Sequence, residues 1–214
     1  MAQDRLNAWE PLFRRALEIV DAAGKTVLRP KDWSFGGGTV LMRRYRHRFS
    51  KDIDIFVPDP QYLGYLSPRL NDEIGELAPR FIEQSEFVKF YFPEGEIDFI
   101  ASVPLTRSPV LMETVLGRKV RVQTSVEIIA RKLQFRGVNF TARDIFDFAM
   151  VAEREPEAIQ RIPQILRERR HAVLSRLESG DAILRKTFAQ LEALEYRRSY
   201  AECVAILKEA LDNA

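Results

Sequence analysis

Three consecutive glycines, Gly36 to Gly38, followed by Thr39, and two aspartates, Asp52 and Asp54, one residue apart, are the residues whose types and spacing could do chemistry. Side chains two apart in a strand point to the same side, roughly 7 Å from each other along the chain. Two carboxylates so placed can converge on divalent cations, which prefer hard oxygen ligands. Glycines at the start of a helix let the backbone come close to a phosphate and aim N–H groups at it. A phosphate cradle beside metal carboxylates is the minimum kit for phosphoryl or nucleotidyl transfer. Gly37, Gly38 and Thr39 are therefore read as phosphate contacts, and Asp52 and Asp54 as ligands of Mg²⁺ (or Mn²⁺).

Metal-assisted attack on a phosphate usually needs a further group to bring in the attacking hydroxyl. Asp98, in Glu96-Ile97-Asp98-Phe99-Ile100, is the expected third carboxylate, with Glu96 as rival. An acid between Ile and Phe in a strand is costly to keep charged in a dry core, so a metal or polar cleft is its expected destination. Lys132 and Arg136, four apart, share a helix face suited to a polyphosphate. Asp144 and Asp147, three apart, are expected to line the site or pair with a base such as Lys132; Asp144 has helix capping as its alternative. Ser50 is read as touching a phosphate or holding a turn. Arg46, His47 and Arg48, in the basic run Arg43, Arg44, Arg46, His47, Arg48, Lys51, suit an RNA backbone, and His47 has a structural role as its alternative.

These residues need elements to hold them. Apolar periodicity predicts a helix over 4–22, ended by Gly24. A short strand at 33–35 runs into the glycines, a helix covers 39–45, and a strand covers 51–57. A helix follows at 69–83. Strands at 87–92 and 96–103 flank the turn Pro93-Glu94-Gly95, and a last strand spans 119–123. From Ser125 onward the pattern is helical, at about 125–136, 141–154, 156–173, 179–194 and 197–212. The change of character near 124 divides an α/β module, 1–124, from a helical C-terminal module, 125–214, that completes the site.

Bulk properties bound the rest. With 46% hydrophobic and 30% charged residues, the 214-residue chain reads as globular, with ample material for a core. No apolar run approaches the roughly 18 to 20 residues of a membrane span. Asp4, Asn7 and Glu10 do not suit a secretory signal. Cys203 is the only cysteine, which excludes an internal disulfide and fits a reducing, cytoplasmic compartment. A net charge of +2 is too balanced to argue for nucleic acid alone. A second basic cluster, Arg161, Arg167, Arg169, Arg170, His171 and Arg176, is read as either an anion-binding or a solvated helix face.

In order and spacing, the glycine pair at a helix start, D-x-D on the next strand and a lone acid on a later one resemble the DNA polymerase β-like nucleotidyltransferase superfamily. Within it, Gly37, Gly38 and Thr39, followed by His47, Arg48, Ser50, Asp52, Ile53 and Asp54, resemble the AbiEii/AbiGii-type group, many of whose members are toxins of toxin–antitoxin or phage-defence systems. The group's K-x-x-x-K motif is similar to Lys132 and Arg136, with arginine in the second place. The resemblance implies transfer of a nucleotide monophosphate from an NTP to an acceptor hydroxyl, a tRNA 3′ end being one such acceptor, under the restraint of an antitoxin. The readings set against it are a protein or small-molecule acceptor, a non-catalytic nucleotide-binding relative, and a phosphohydrolase, for which two histidines, His47 and His171, are too few.

Overall fold

Alternation of buried and half-buried residues builds the strand that carries Asp54. The computed structural model of the chain describes residues 6–24 and 28–214. These form two compact units. The first takes in the described residues up to Arg43, Ser50–Pro104 and Val110–Gln123; the second takes in Arg44–Phe49, Leu105–Pro109 and Thr124–Ala214. The segments 44–49 and 105–109 thus group with the helical residues although they precede them in sequence.

In the first unit, β1 (Ser34–Gly36), β2 (Ile53–Val57), β3 (Phe81–Gln84), β4 (Phe87–Phe92), β5 (Gly95–Ala101), β6 (Val110–Val115) and β7 (Arg118–Gln123) form one sheet in the order β3-β4-β5-β2-β1-β7-β6. β2 lies parallel to β5 and antiparallel to β1, and β4 is antiparallel to β5. Ile53, Ile55, Ile97, Phe99, Val88 and Phe90 point to one face and are fully buried. Against it packs α1 (Glu10–Ala22), whose Leu12, Phe13, Ala16, Ile19 and Val20 recur at helical spacing. Phe13 meets Phe35 of β1 at 4.6 Å between ring centroids. Each such buried Leu, Ile or Phe contributes roughly 1.5–3 kcal/mol. The opposite face carries the acids. α2 (Gly37–Tyr45) starts directly after β1, and the short α3 (Gln61–Leu66) and α4 (Asp72–Leu77) follow β2.

The second unit contains α5 (Ser125–Arg136), α6 (Ala142–Arg154), α7 (Pro156–Ile159), α8 (Pro163–Ser179), α9 (Asp181–Phe188) and α10 (Tyr200–Asp212). Thr124 caps α5, and Thr141 with Asp144 forms a capping box on α6. Phe146 is the aromatic centre, with Tyr196 at 5.1 Å and Phe188 at 5.5 Å. Cys203 is buried, as its apolar helical setting suggests. The segment 46–49 is held in this unit by backbone pairing: Leu194 N–H donates to His47, Glu195 N–H to Arg46 and Phe49 N–H to Glu192. No helix among the described residues is long and apolar enough to cross a membrane.

Several boundaries differ from the sequence expectation. Residues 4 and 5 of the helix expected over 4–22 lie outside the described residues. The helix expected over 69–83 ends at Leu77, because Pro79 has no N–H and forces Ala78 out of helical geometry; Phe81–Gln84 is instead the edge strand β3. Pro163 likewise divides the helix expected over 156–173, and α9 stops at Phe188 rather than 194. Strand β6 was not expected. It joins β7 through Leu116 and Gly117, both at positive φ (49° and 82°), a two-residue turn whose usual sequence signal is Asn-Gly.

Candidate active site

The register of the sheet puts Asp54 of β2 directly beside Asp98 of β5. In a parallel pair such neighbours point to the same face, so two acids 44 residues apart in sequence stand next to each other. Asp52 precedes β2, and its Oδ1 accepts the backbone N–H of Glu96 at 3.2 Å. Gly36 is the partner of Asp54 on the other side. A Cβ on Gly36 would sit 2.3 Å from Gln123 Oε1 and 2.7 Å from the Phe56 ring, so only glycine fits.

Gly37 binds this arrangement to the helix start. Its φ of +75° is in the left-handed region, and a Cβ there would lie 1.7 Å from Asp54 Oδ2. The carboxylate therefore rests against bare backbone at the first turn of α2, where N–H groups lack helical partners. Gly37 and Gly38 are half-buried, whereas Thr39 is fully buried. The Thr39 hydroxyl donates to the backbone carbonyl of Asp52 at 2.6 Å and lies 3.1 Å from Ser50 Oγ. Thr39 thus fixes the approach to β2 from inside, and its hydroxyl is spent on that approach.

Sequence reasoning passed over Lys89. On β4 it stands opposite Asp98, with Nζ 3.2 Å from Asp98 Oδ2 and 2.7 Å from Glu96 Oε2. Burial pushes the Asp98 carboxyl up from its ordinary value, and the Lys89 ammonium only partly offsets this. Burial works against the Lys89 charge too, but Glu96 and Asp98 outweigh it and hold its pKa above the ordinary lysine value. Asp98 Oδ1 is buried with no hydrogen-bond partner. The signal for Lys89 was present: a hairpin closing on Pro93-Glu94, with Phe92 paired to Gly95, counts back to Lys89 against Asp98.

A divalent cation can be tested against these groups. Among the described residues no three His, Cys, Asp or Glu side chains are gathered as a ready metal cluster. Mg²⁺ is commonly bound by one or two carboxylates, with water and substrate phosphate oxygens completing its shell. Asp54 and Asp98, side by side and with one buried oxygen unpartnered, fit that mode.

The remaining residues singled out in the sequence fall in the second unit. Arg48 grips Asp147 with Nε at 2.6 Å and Nη2 at 2.8 Å, and His47 Nε2 lies 2.7 Å from the same carboxylate. Both side chains are buried (relative exposure 0% for His47, 3% for Arg48), which leaves neither facing an RNA backbone. Arg46 remains half-exposed. Lys132 Nζ is 2.5 Å from Asp144 and 3.0 Å from Asp147, and it is buried among them. Arg136 also meets Asp144, at 3.1 Å, with its side chain half in solvent. Asp144 both pairs with Lys132 and caps α6 through Thr141, so its two sequence readings coexist. Burial alone would raise Asp147, but Arg48, Lys132 and His47 hold it well below the ordinary carboxylate value.

Residues 25–213 match the family model described as nucleotidyl transferase AbiEii toxin, type IV toxin–antitoxin system. Among solved structures, a candidate nucleotidyltransferase from H. pylori superposes with a TM-score of 0.52 at 18% identity, covering 100% of this chain and 95% of its own. The antibiotic-resistance factor ANT(2'')-Ia gives 0.50 at 16%, covering 81% and 97%. MenT4, a nucleotidyltransferase toxin of Mycobacterium tuberculosis, gives 0.49 at 17%, covering 92% and 82%. At these identities the likeness to the first two is one of fold. No curated protein matches.

Proposed function

We propose, from the premise that the chain belongs to the AbiEii nucleotidyltransferase toxin family, that it moves a nucleotide monophosphate from an NTP to an RNA hydroxyl at the Asp54–Asp98 face. The family is one of nucleotidyltransferases and toxins; the acceptor, the metal and the restraint by an antitoxin are this reading's own. The observation that carries it is the placement of Asp54 beside Asp98, against the bare backbone of Gly37, with Asp98 Oδ1 buried and unpartnered.

Asp54 and Asp98, helped by Asp52, would hold Mg²⁺ (or Mn²⁺). Such a cation, when bound, neutralises phosphate charge and polarises the phosphoryl centre. Gly37 and Gly38 offer backbone N–H groups to the triphosphate. Thr39 and Ser50 keep Asp52 in place from behind. Asp98 orients the incoming hydroxyl and accepts its proton, a role served by a carboxyl raised above its ordinary value. Of the basic residues singled out for RNA or phosphate in the second unit, Arg46 and Arg136, with half-exposed side chains, are the two that keep charge toward solvent.

A tRNA 3′ end is the proposed acceptor, and growth arrest the consequence when a cognate antitoxin is missing. Incubation with Mg²⁺, each labelled NTP in turn and total bacterial RNA, beside an Asp52→Ala/Asp54→Ala double variant, tests the donor, the acceptor and the need for the carboxylates. Label in tRNA-sized RNA with the wild type and none with the variant is expected. NTP binding without transfer to RNA would move the acceptor to a protein or small molecule. No NTP binding would end the enzymatic reading of this site.

A further inference from the structure

Asp52 and Asp54 lead into and along β2, and Glu96 and Asp98 lie along β5, its parallel neighbour in the same register. Like charges lined up on one sheet face repel. Lys89 reaches across from β4 to two of them, Glu96 and Asp98. Its neighbours in the strand, Val88 and Phe90, are fully buried on the opposite face, so the strand cannot turn to move the ammonium elsewhere. The lysine is therefore fixed at the carboxylates by register rather than by a chance side-chain contact.

We infer that Lys89 is a resident counter-cation of this face, which keeps a free divalent ion off Asp98 until a nucleoside triphosphate brings one in. The inference rests on the metal-site reading proposed above and adds a control on when that site fills. A divalent ion approaching Asp98 meets an ammonium 3.2 Å from the same carboxylate, and like charges at such range weaken its binding. A triphosphate reverses the balance, because its own negative charge offsets the ammonium and the ion together. The metal and the nucleotide then bind as a pair. A purely structural ion pair would have no such consequence.

Direct Mn²⁺ binding, read from loss of the free-ion electron paramagnetic resonance signal beyond that in protein-free samples with the same nucleotide, tests this without any turnover. Wild type, Lys89→Met, Lys89→Arg and Asp98→Asn are compared with and without α,β-methylene nucleoside triphosphates, which cannot be cleaved at that bond. Wild type should bind Mn²⁺ weakly alone and more tightly with the analogue. Lys89→Met should bind Mn²⁺ alone about tenfold more tightly than wild type, Lys89→Arg should behave as wild type, and Asp98→Asn should bind it poorly in both conditions. Lys89→Gln serves the same comparison where Lys89→Met does not fold. Equal nucleotide-free Mn²⁺ affinity in wild type and the Met or Gln variant would overturn the counter-cation role while leaving the metal site standing. No Mn²⁺ uptake by wild type even with the analogue would remove the metal site itself, and the inference with it.

Discussion

Two aspartates, the half-buried Asp98 of the sheet unit and the fully buried Asp147 of the helical unit, sit in opposite electrostatic states. Burial drives both carboxyls upward. Asp147 faces Arg48, Lys132 and His47, both of its oxygens are engaged, and its pKa falls well below the ordinary value. Asp98 has Lys89 on one oxygen and nothing on the other, and its pKa rises. The difference is the number of cations supplied to each acid. A carboxylate saturated by its own protein is part of the architecture; one left short of partners still has capacity for something from outside. The same residue type thus serves structure where it is fully enclosed and chemistry where part of its side chain stays open (22% exposed at Asp98, 0% at Asp147).

If that contrast is right, removing charge from the two regions should separate activity from stability. Asp54→Asn keeps the shape of the side chain against Gly37 and takes away its charge. Nucleotidyl transfer should fall by on the order of a thousandfold or more, with the melting temperature little changed. Radiolabel transfer and thermal unfolding, run on the same preparation, check both halves. Asp147→Asn should do the reverse: it leaves Arg48 and Lys132 buried without their full counter-charge, which costs about 3–5 kcal/mol. Urea unfolding followed by circular dichroism reads this. A variant of Asp147 that stays as stable as wild type would show that the network is not what holds the helical unit.

The contrast also bears on the glycines. Gly37→Ala adds a methyl where Asp54 Oδ2 already lies, at a φ of +75°. The backbone cost is about 1–2 kcal/mol, and displacement of Asp54 should lower transfer by on the order of a hundredfold. Gly117, also at positive φ (82°) but with nothing near its Cβ position, isolates the backbone part. Gly117→Ala should lose similar stability and keep transfer at the wild-type rate. Equal losses of transfer in both variants would mean that Gly37 matters only as a turn residue.

Much of the sheet side was legible because its signals are local. The D-x-D spacing, the glycines before a helix and the turn at Pro93-Glu94 each lie within a few residues, and together they place Asp54 and Asp98 in neighbouring strands. Lys89 was within reach of the same turn, by counting the register back from Phe92. Strand β6 was not, since Leu111 and Met112 both face solvent on an edge and spoil the alternation that marks a half-buried strand. The basic run was misleading for a physical reason. Arg43, Arg46, His47 and Arg48 are close together in sequence, but Arg43 lies 5.0 Å over the Trp9 ring and Arg48 is buried on Asp147, about a hundred residues away. Charge density along a chain says where cations are, not which acid waits for them. The helical side depends on such distant pairings, so composition gave its helices and not its ionic centre.

The smallest effect discriminates most finely within that centre. His47 and Asp147 are 2.7 Å apart, and the pair could be read as an ion pair or as a neutral hydrogen bond. Burial lowers the His47 pKa from 6.5, and although Asp147 works to raise it, Arg48 and Lys132 already supply cationic charge nearby. His47 is therefore neutral at pH 7, with Nε2–H donating to the carboxylate. A histidine with a folded pKa below its unfolded one binds fewer protons in the native state between the two values, so stability rises with pH across that window. Wild type should lose stability as the pH falls below about 6.5, at no more than about 1.4 kcal/mol per pH unit, and His47→Gln should lack this component. Asp147 does not interfere, because its own lowered pKa places its loss of stability below the ordinary carboxylate range. An ion pair would give the other sign: a raised folded pKa makes stability fall as the pH climbs past neutrality. The slope of the difference between the two proteins, measured by urea unfolding from pH 5 to 8, tells whether Asp147 is held by three cations or by two and a neutral donor.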